Sequence, residues 1–152
     1  MPEVEVTGHI DGPRQAVWDT YTDHARFWSF MGPARIERPG SPHPNGKGCI
    51  RVLGPDIGAA REEILRFDAP AYLAYTVLPG RLPLKDHLGE VFFEDEGTGT
   101  RIVWRARFAS RIPGLGPILR LVVVRVFTRA VKHLEAQFDS DAPHPETDSA
   151  PT

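Results

Sequence analysis

Apolar and polar residues alternate along "EVEVTGHI", residues 3–10. Val4, Val6, Gly8 and Ile10 take one side and Glu3, Glu5, Thr7 and His9 the other, which predicts a half-buried strand. The pattern then lengthens to a helical period in "DGPRQAVWDTYTD". Asp11 or Gly12 can cap, Pro13 suits the first turn, and Ala16, Val17 and Tyr21 form a short apolar face. Asp23 stops or re-caps the chain, so a second short helix carries Phe27, Trp28 and Phe30, and Gly32-Pro33 closes it. Phe27, Trp28, Phe30 and Met31 crowd four large apolar side chains into five positions, more than one buried face can use.

Period-two patterns return from residue 34. "ARIER" precedes the loop "PGSPHPNGKG", which holds an Asn-Gly turn, and "CIRVLG" and "AAREEILRFD" follow on either side of Pro55-Asp56. In "APAYLAYTVLPG", Leu73, Tyr75 and Val77 share one side. In "HLGEVFFED", His87, Gly89, Val91 and Phe93 share the inner side, because Glu90 and Glu94 mark the other face as solvated. "TRIVWRARF" is the clearest strand, with Ile102, Trp104, Ala106 and Phe108 inward and Arg101, Arg105 and Arg107 outward, opposite carboxylates such as Glu90 and Glu94. From about Pro117 to Phe138, Leu119, Val123, Phe127, Val131, Leu134 and Phe138 recur every three or four residues, one face of a long helix. Val122, Val124 and Val126 widen its apolar arc, and a homodimer contact is one reading of that breadth. The predicted class is α+β: a curved antiparallel sheet of about seven strands gripping a long C-terminal helix, with two short helices after the first strand. The expected domain spans 1–138, and the acidic, Pro-containing 139–152 reads as a disordered tail.

This order of segments, carried by "DGPRQAVWDTYTDHARFWSF", "REEILRFDAPAYLAYTVLPG" and "GEVFFEDEGTGTRIVWRARF", resembles the START-like helix-grip (SRPBCC) superfamily and within it the polyketide cyclase/dehydrase-like branch. The resemblance implies an internal apolar cavity between sheet and helix, with the short helices and loops at its mouth. It implies no fixed catalytic set.

Composition changes this picture little. At 152 residues, a formal charge of −2 and pI near 6.3, the chain has no bulk attraction for nucleic acid or membrane. One cysteine, Cys49, rules out an internal disulfide framework and suits a cytoplasmic setting. "MPEVEVTGHI" lacks the character of a secretory signal, and "ILRLVVVRVF" is too short and too charged to span a bilayer. No G-x-S-x-G, H-E-x-x-H or phosphate-loop motif is present, and "NGKG" and "EGTGT" read as hairpin turns. The six histidines, at 9, 24, 43, 87, 133 and 144, have no metal-ligand spacing, so neither metal nor cofactor is expected. The outward arginines lack interleaved aromatics, which argues against RNA binding.

Three polar residues could carry chemistry. His87 has inward parity and could bond a ligand or exchange protons, although a strand-end histidine bonded to Asp86 or solvent is the simpler reading. Tyr75 points inward and needs a partner. Glu62 lies beside Glu63 in a strand of ambiguous parity, and solvent exposure is expected for it. The favoured function is binding or transport of a hydrophobic small molecule (lipid, polyketide or aromatic metabolite). Phe27, Trp28, Phe30, Met31, Tyr75, Trp104, Phe108, Leu119, Val123 and Phe127 would line the site, with His87 as polar anchor. The alternatives are a cyclase/dehydratase-type enzyme without metal that uses His87, Tyr75 or Glu62 as acid/base, and an interaction module acting through the valine-rich helix face.

Overall fold

The computed structural model describes residues 3–54, 59–80 and 82–139. The sheet has seven strands: β1 (Glu3–Ile10), β2 (Ala34–Arg38), β3 (Ile50–Leu53), β4 (Ala60–Asp68), β5 (Tyr72–Val77), β6 (Leu84–Glu96) and β7 (Gly99–Ser110). They pair antiparallel in the order β1-β7-β6-β5-β4-β3-β2, so the chain starts at one edge, crosses to the other and returns by hairpins. The crossover carries α1 (Arg14–Thr22), α2 (His24–Phe27) and a 3-10 turn, Trp28–Met31. The last element, α3 (Gly116–Phe138), packs across the concave face. This is the α+β architecture the sequence predicts. The turn at 55–56 and the tail from residue 140 lie outside the described residues.

Three register shifts, at Ile36/Arg38, Ile64/Arg66 and Lys85/Leu88, bend the strands. A bulge adds local twist, and a twisted sheet can wrap a helix. At β1 the helix comes close. A Cβ on Gly8 would stand 2.5 Å from Val131 Cγ1, so glycine here lets α3 settle on the strand.

The core is aromatic. Trp18, Tyr21, Phe93 and Trp104 are almost wholly buried, and Trp104 stacks on Phe127 of α3 at 4.3 Å between ring centroids. In α1 the buried set is Val17, Trp18, Tyr21 and Thr22, so Trp18 takes the place expected for Ala16. The outer face of β7 is charged as predicted: Arg105 bonds Glu5 at 2.8 Å and Arg101 lies 3.7 Å from Glu94.

The two ends of α3 differ. Phe127, Ala130, Val131 and Leu134 are buried in its second half, whereas Ile118, Leu121 and Val122 in its first half are half or more exposed. The first half stands away from the sheet, and a cavity lies beneath it.

Candidate functional site: a cavity under the long helix

The cavity measures about 260 Å³, between the inner face of β3–β6 and the first half of α3. Leu119, Val123 and Phe127 reach it from the helix, Trp28 and Met31 from the 3-10 turn, and Glu62, Tyr75 and His87 from the sheet. Val122 and Met31 are both lining and exposed, so they mark its mouth.

The crowded aromatic stretch divides between two jobs. Phe27 is buried against Tyr21, and Phe30 stacks on His133 of α3 at 4.2 Å, so this pair seals the short helices onto the core. Trp28 and Met31 turn to the cavity. The tighter winding of a 3-10 turn sets Phe27 with Phe30 on one side and Trp28 with Met31 on the next.

Of the other residues expected at the site, Trp104 and Phe108 do not line the cavity. Both are almost wholly buried, Trp104 between Tyr21 and Phe127 and Phe108 behind the His87 ring. Phe27 and Phe30 are likewise outside the lining. Tyr75 and His87 face inward as expected.

Glu62 corrects the sequence reading. It is buried, because its strand pairs it with Arg51 of β3 rather than leaving it to solvent. Arg51, fully enclosed, donates from Nε to Glu62 Oε1 at 2.9 Å, and its Nη2 lies 2.8 Å from the same oxygen. Nη1 reaches His24 Nδ1 at 3.1 Å, while His24 Nε2 bonds the Asn45 carbonyl at 2.9 Å. The guanidinium lies 4.7 Å from the Tyr75 ring centre and 5.6 Å from that of Trp28, so its faces are covered by aromatic rings. Arginine keeps its charge even here. A buried cation needs a counter-charge, and Glu62 supplies it.

These bonds fix the protons. His24 Nε2 faces a carbonyl and must donate, so Nδ1 accepts from Arg51. Protonating Nδ1 would set two donors against each other. Burial, helped by the Arg51 charge, pushes the His24 pKa down to about 3. Burial also pushes the Glu62 carboxyl up, against the pull of Arg51.

His87 is positioned by irregular backbone. Asp86 adopts φ 53°, a conformation aspartate tolerates better than most residues, within the register shift of β6. The turn brings His87 Nδ1 to accept from the Val77 amide at 3.2 Å, while Thr76 Oγ1 donates to the His87 carbonyl at 2.7 Å. It is thus neither bonded to Asp86 nor simply solvated. With Nδ1 accepting, the neutral ring carries its proton on Nε2. Burial, with the Arg51 charge adding to it, lowers its pKa to about 4.

Tyr75 is bound twice over. Its ring sits on Gly89, where a Cβ would collide with it, and its oxygen accepts from Trp104 Nε1 at 3.0 Å. Burial raises its pKa well above the usual value.

The sequence reading missed Arg51 and His24. A cross-strand signal existed for Arg51: Glu62 and the inward Ile64 are two apart, and the hairpin register sets Arg51 opposite Glu62. For His24 there was none, because its partners come from a distant loop and from β3.

A curved seven-stranded antiparallel sheet closed by a long C-terminal helix over a hollow is the helix-grip fold of the START-like (SRPBCC) superfamily. The chain belongs to the family described as polyketide cyclase / dehydrase and lipid transport, whose model matches residues 1–139. Among solved structures, a protein of Nitrosospira multiformis is similar at 16% identity with a TM-score of 0.74, over 92% of this chain and 98% of that one. A Thermobifida fusca protein is similar at 20% identity and 0.73, over 91% and 93%. Ara h 8.0201 is similar at 14% identity and 0.72, over 92% and 99%. At these identities the likeness is one of fold. No curated protein matches the sequence.

Proposed function

We propose that this protein binds a compact hydrophobic small molecule in the cavity under α3. The observation that carries the reading is the cavity itself: an apolar lining with a few polar groups that the protein leaves partly unused, the usual build of a small-molecule site. The family's description, which includes lipid transport, supports it. At about 260 Å³ the space falls just under the roughly 300–1,000 Å³ span of such sites, which favours a ligand of one or two rings or a single short chain over a two-chain lipid. Native mass spectrometry of the purified protein tests this. A released apolar species at one per chain supports it, and Val123→Trp, which puts an indole into the cavity, abolishes that species. A ligand retained unchanged in Val123→Trp contradicts it.

A second reading, a cyclase or dehydratase, draws on Glu62. Of the three acid/base candidates, Tyr75 is spent on Trp104 and its pKa is raised. His87 has its lone pair committed to the Val77 amide. Neither makes a good base near neutral pH. Glu62 is the carboxylate of the three: burial raises its pKa, and it stands on the cavity wall. Turnover of a cyclisable substrate, lost in Glu62→Gln while binding persists, would favour catalysis.

A further inference from the structure

Taking the cavity as the ligand site, we infer that its ligand is an uncharged molecule bearing a hydroxyl or amine hydrogen, and that the cavity rejects carboxylates.

The inference comes from how the buried ion pair is turned. Arg51 lies behind the wall with no surface on the cavity: Nε donates to Glu62, Nη1 to His24, and Nη2, which makes no hydrogen bond, is buried against Glu62 Oε1 at 2.8 Å. Glu62 lies in the wall. The pair therefore shows the cavity its negative end. Glu62 is the one carboxylate or cation among the described lining residues. Arg51 occupies Oε1, and no protein donor among the described residues takes Oε2. That leaves an acceptor in an apolar enclosure, where a ligand O–H or N–H fits it and a second carboxylate meets like charge with little water to screen it.

His87 offers the complement. Its Nδ1 is held by Val77, so Nε2–H is the free edge, with no acceptor among the described residues. Val77 is also the register partner of Glu62. Acceptor and donor therefore flank one β5 residue from strands β4 and β6, whose backbones stand about 10 Å apart. A planar ring system carrying a hydroxyl toward Glu62, with an acceptor or π face toward His87, spans that gap. A free fatty acid does not suit it: its head group would find only neutral N–H groups, of His87 and Trp28, and a carboxylate opposite.

Three naphthalenes of similar size separate the terms near neutral pH: 2-naphthol, 2-methoxynaphthalene and 2-naphthoate, titrated into the full-length protein by calorimetry. The expected order is naphthol tightest. The methoxy compound is weaker by about tenfold for the lost charge-assisted hydrogen bond, and naphthoate weaker by about a hundredfold. In Glu62→Gln the preference for naphthol over naphthoate collapses. Should that variant not fold, the three wild-type affinities decide alone. Naphthoate binding as tightly as naphthol overturns this inference but leaves the cavity reading standing. Binding by none of the three overturns the cavity reading, and this inference with it.

Discussion

Acidification should loosen this protein through two buried histidines, and the size of the effect follows from their pKa values. His24 and His87 are held neutral in the fold, with pKa values lowered to about 3 and about 4 from an ordinary 6.5. Both are depressed histidines, so the unfolded chain binds protons first and stability falls as pH drops below the unfolded value. Above it the two groups cost nothing. Between the unfolded and folded values each loses about 1.4 kcal/mol per pH unit. From about pH 8 to about pH 5 that amounts to about 2 kcal/mol per histidine, or about 4 kcal/mol together. Against a typical total of about 5–15 kcal/mol this is a large share. Urea unfolding at the two pH values reads the net change, in which the raised carboxyl of Glu62 works in the opposite sense. His24→Gln separates His24 from the carboxylates that titrate nearby, since its amide can still donate toward Asn45 and accept from Arg51. The variant should lose about 2 kcal/mol less than wild type between the two pH values. If wild type and His24→Gln weaken in parallel, His24 is not the buried neutral group its hydrogen bonds require, and the reasoning fails.

The ion pair makes a sharper test of packing. Arg51→Met or Glu62→Gln alone should cost about 3–5 kcal/mol in urea, since each strands a buried polar or charged partner, whereas Arg51→Met with Glu62→Met should recover most of the loss. Tyr75→Phe removes the acceptor of a buried indole N–H and should cost about 1–3 kcal/mol by thermal or urea unfolding. Gly89→Ala should destabilise by a comparable amount, about 1–3 kcal/mol, and change near-ultraviolet dichroism, because the added carbon displaces the Tyr75 ring.

Much of the fold was legible because its strongest elements have a clean period. In β7, Ile102, Trp104, Ala106 and Phe108 alternate with arginines, and the α3 face steps evenly from Leu119 to Phe138. The polar cluster was less legible, for identifiable reasons. Ile50, Arg51 and Val52 are all buried, so β3 has no alternation from which to read Arg51. The register shift at Ile64/Arg66 breaks the parity of β4 beyond Ile64, so the strand as a whole shows no single period from which to read Glu62, although the short Glu62–Ile64 step is regular. His24 is held by the carbonyl of Asn45, 21 residues along in a loop whose conformation no periodicity reports. His87 was placed inward by parity, yet its partner was not, because the backbone turn at Asp86 lies outside any strand pattern. The division of Phe27 and Phe30 from Trp28 and Met31 follows from the winding of one short turn, which four hydrophobes in five positions cannot specify by themselves.

The central claim, that the hollow under α3 is a binding site, is tested most directly by titrating a neutral fluorescent apolar probe such as 2-naphthol into wild type, Val123→Trp and Arg105→Ala. Val123 lines the cavity, while Arg105 lies on the outer face of the sheet and bonds Glu5. The account predicts saturable binding at one probe per chain in wild type and Arg105→Ala, with none in Val123→Trp. Equal uptake by all three proteins, or no saturable uptake by wild type, would contradict it.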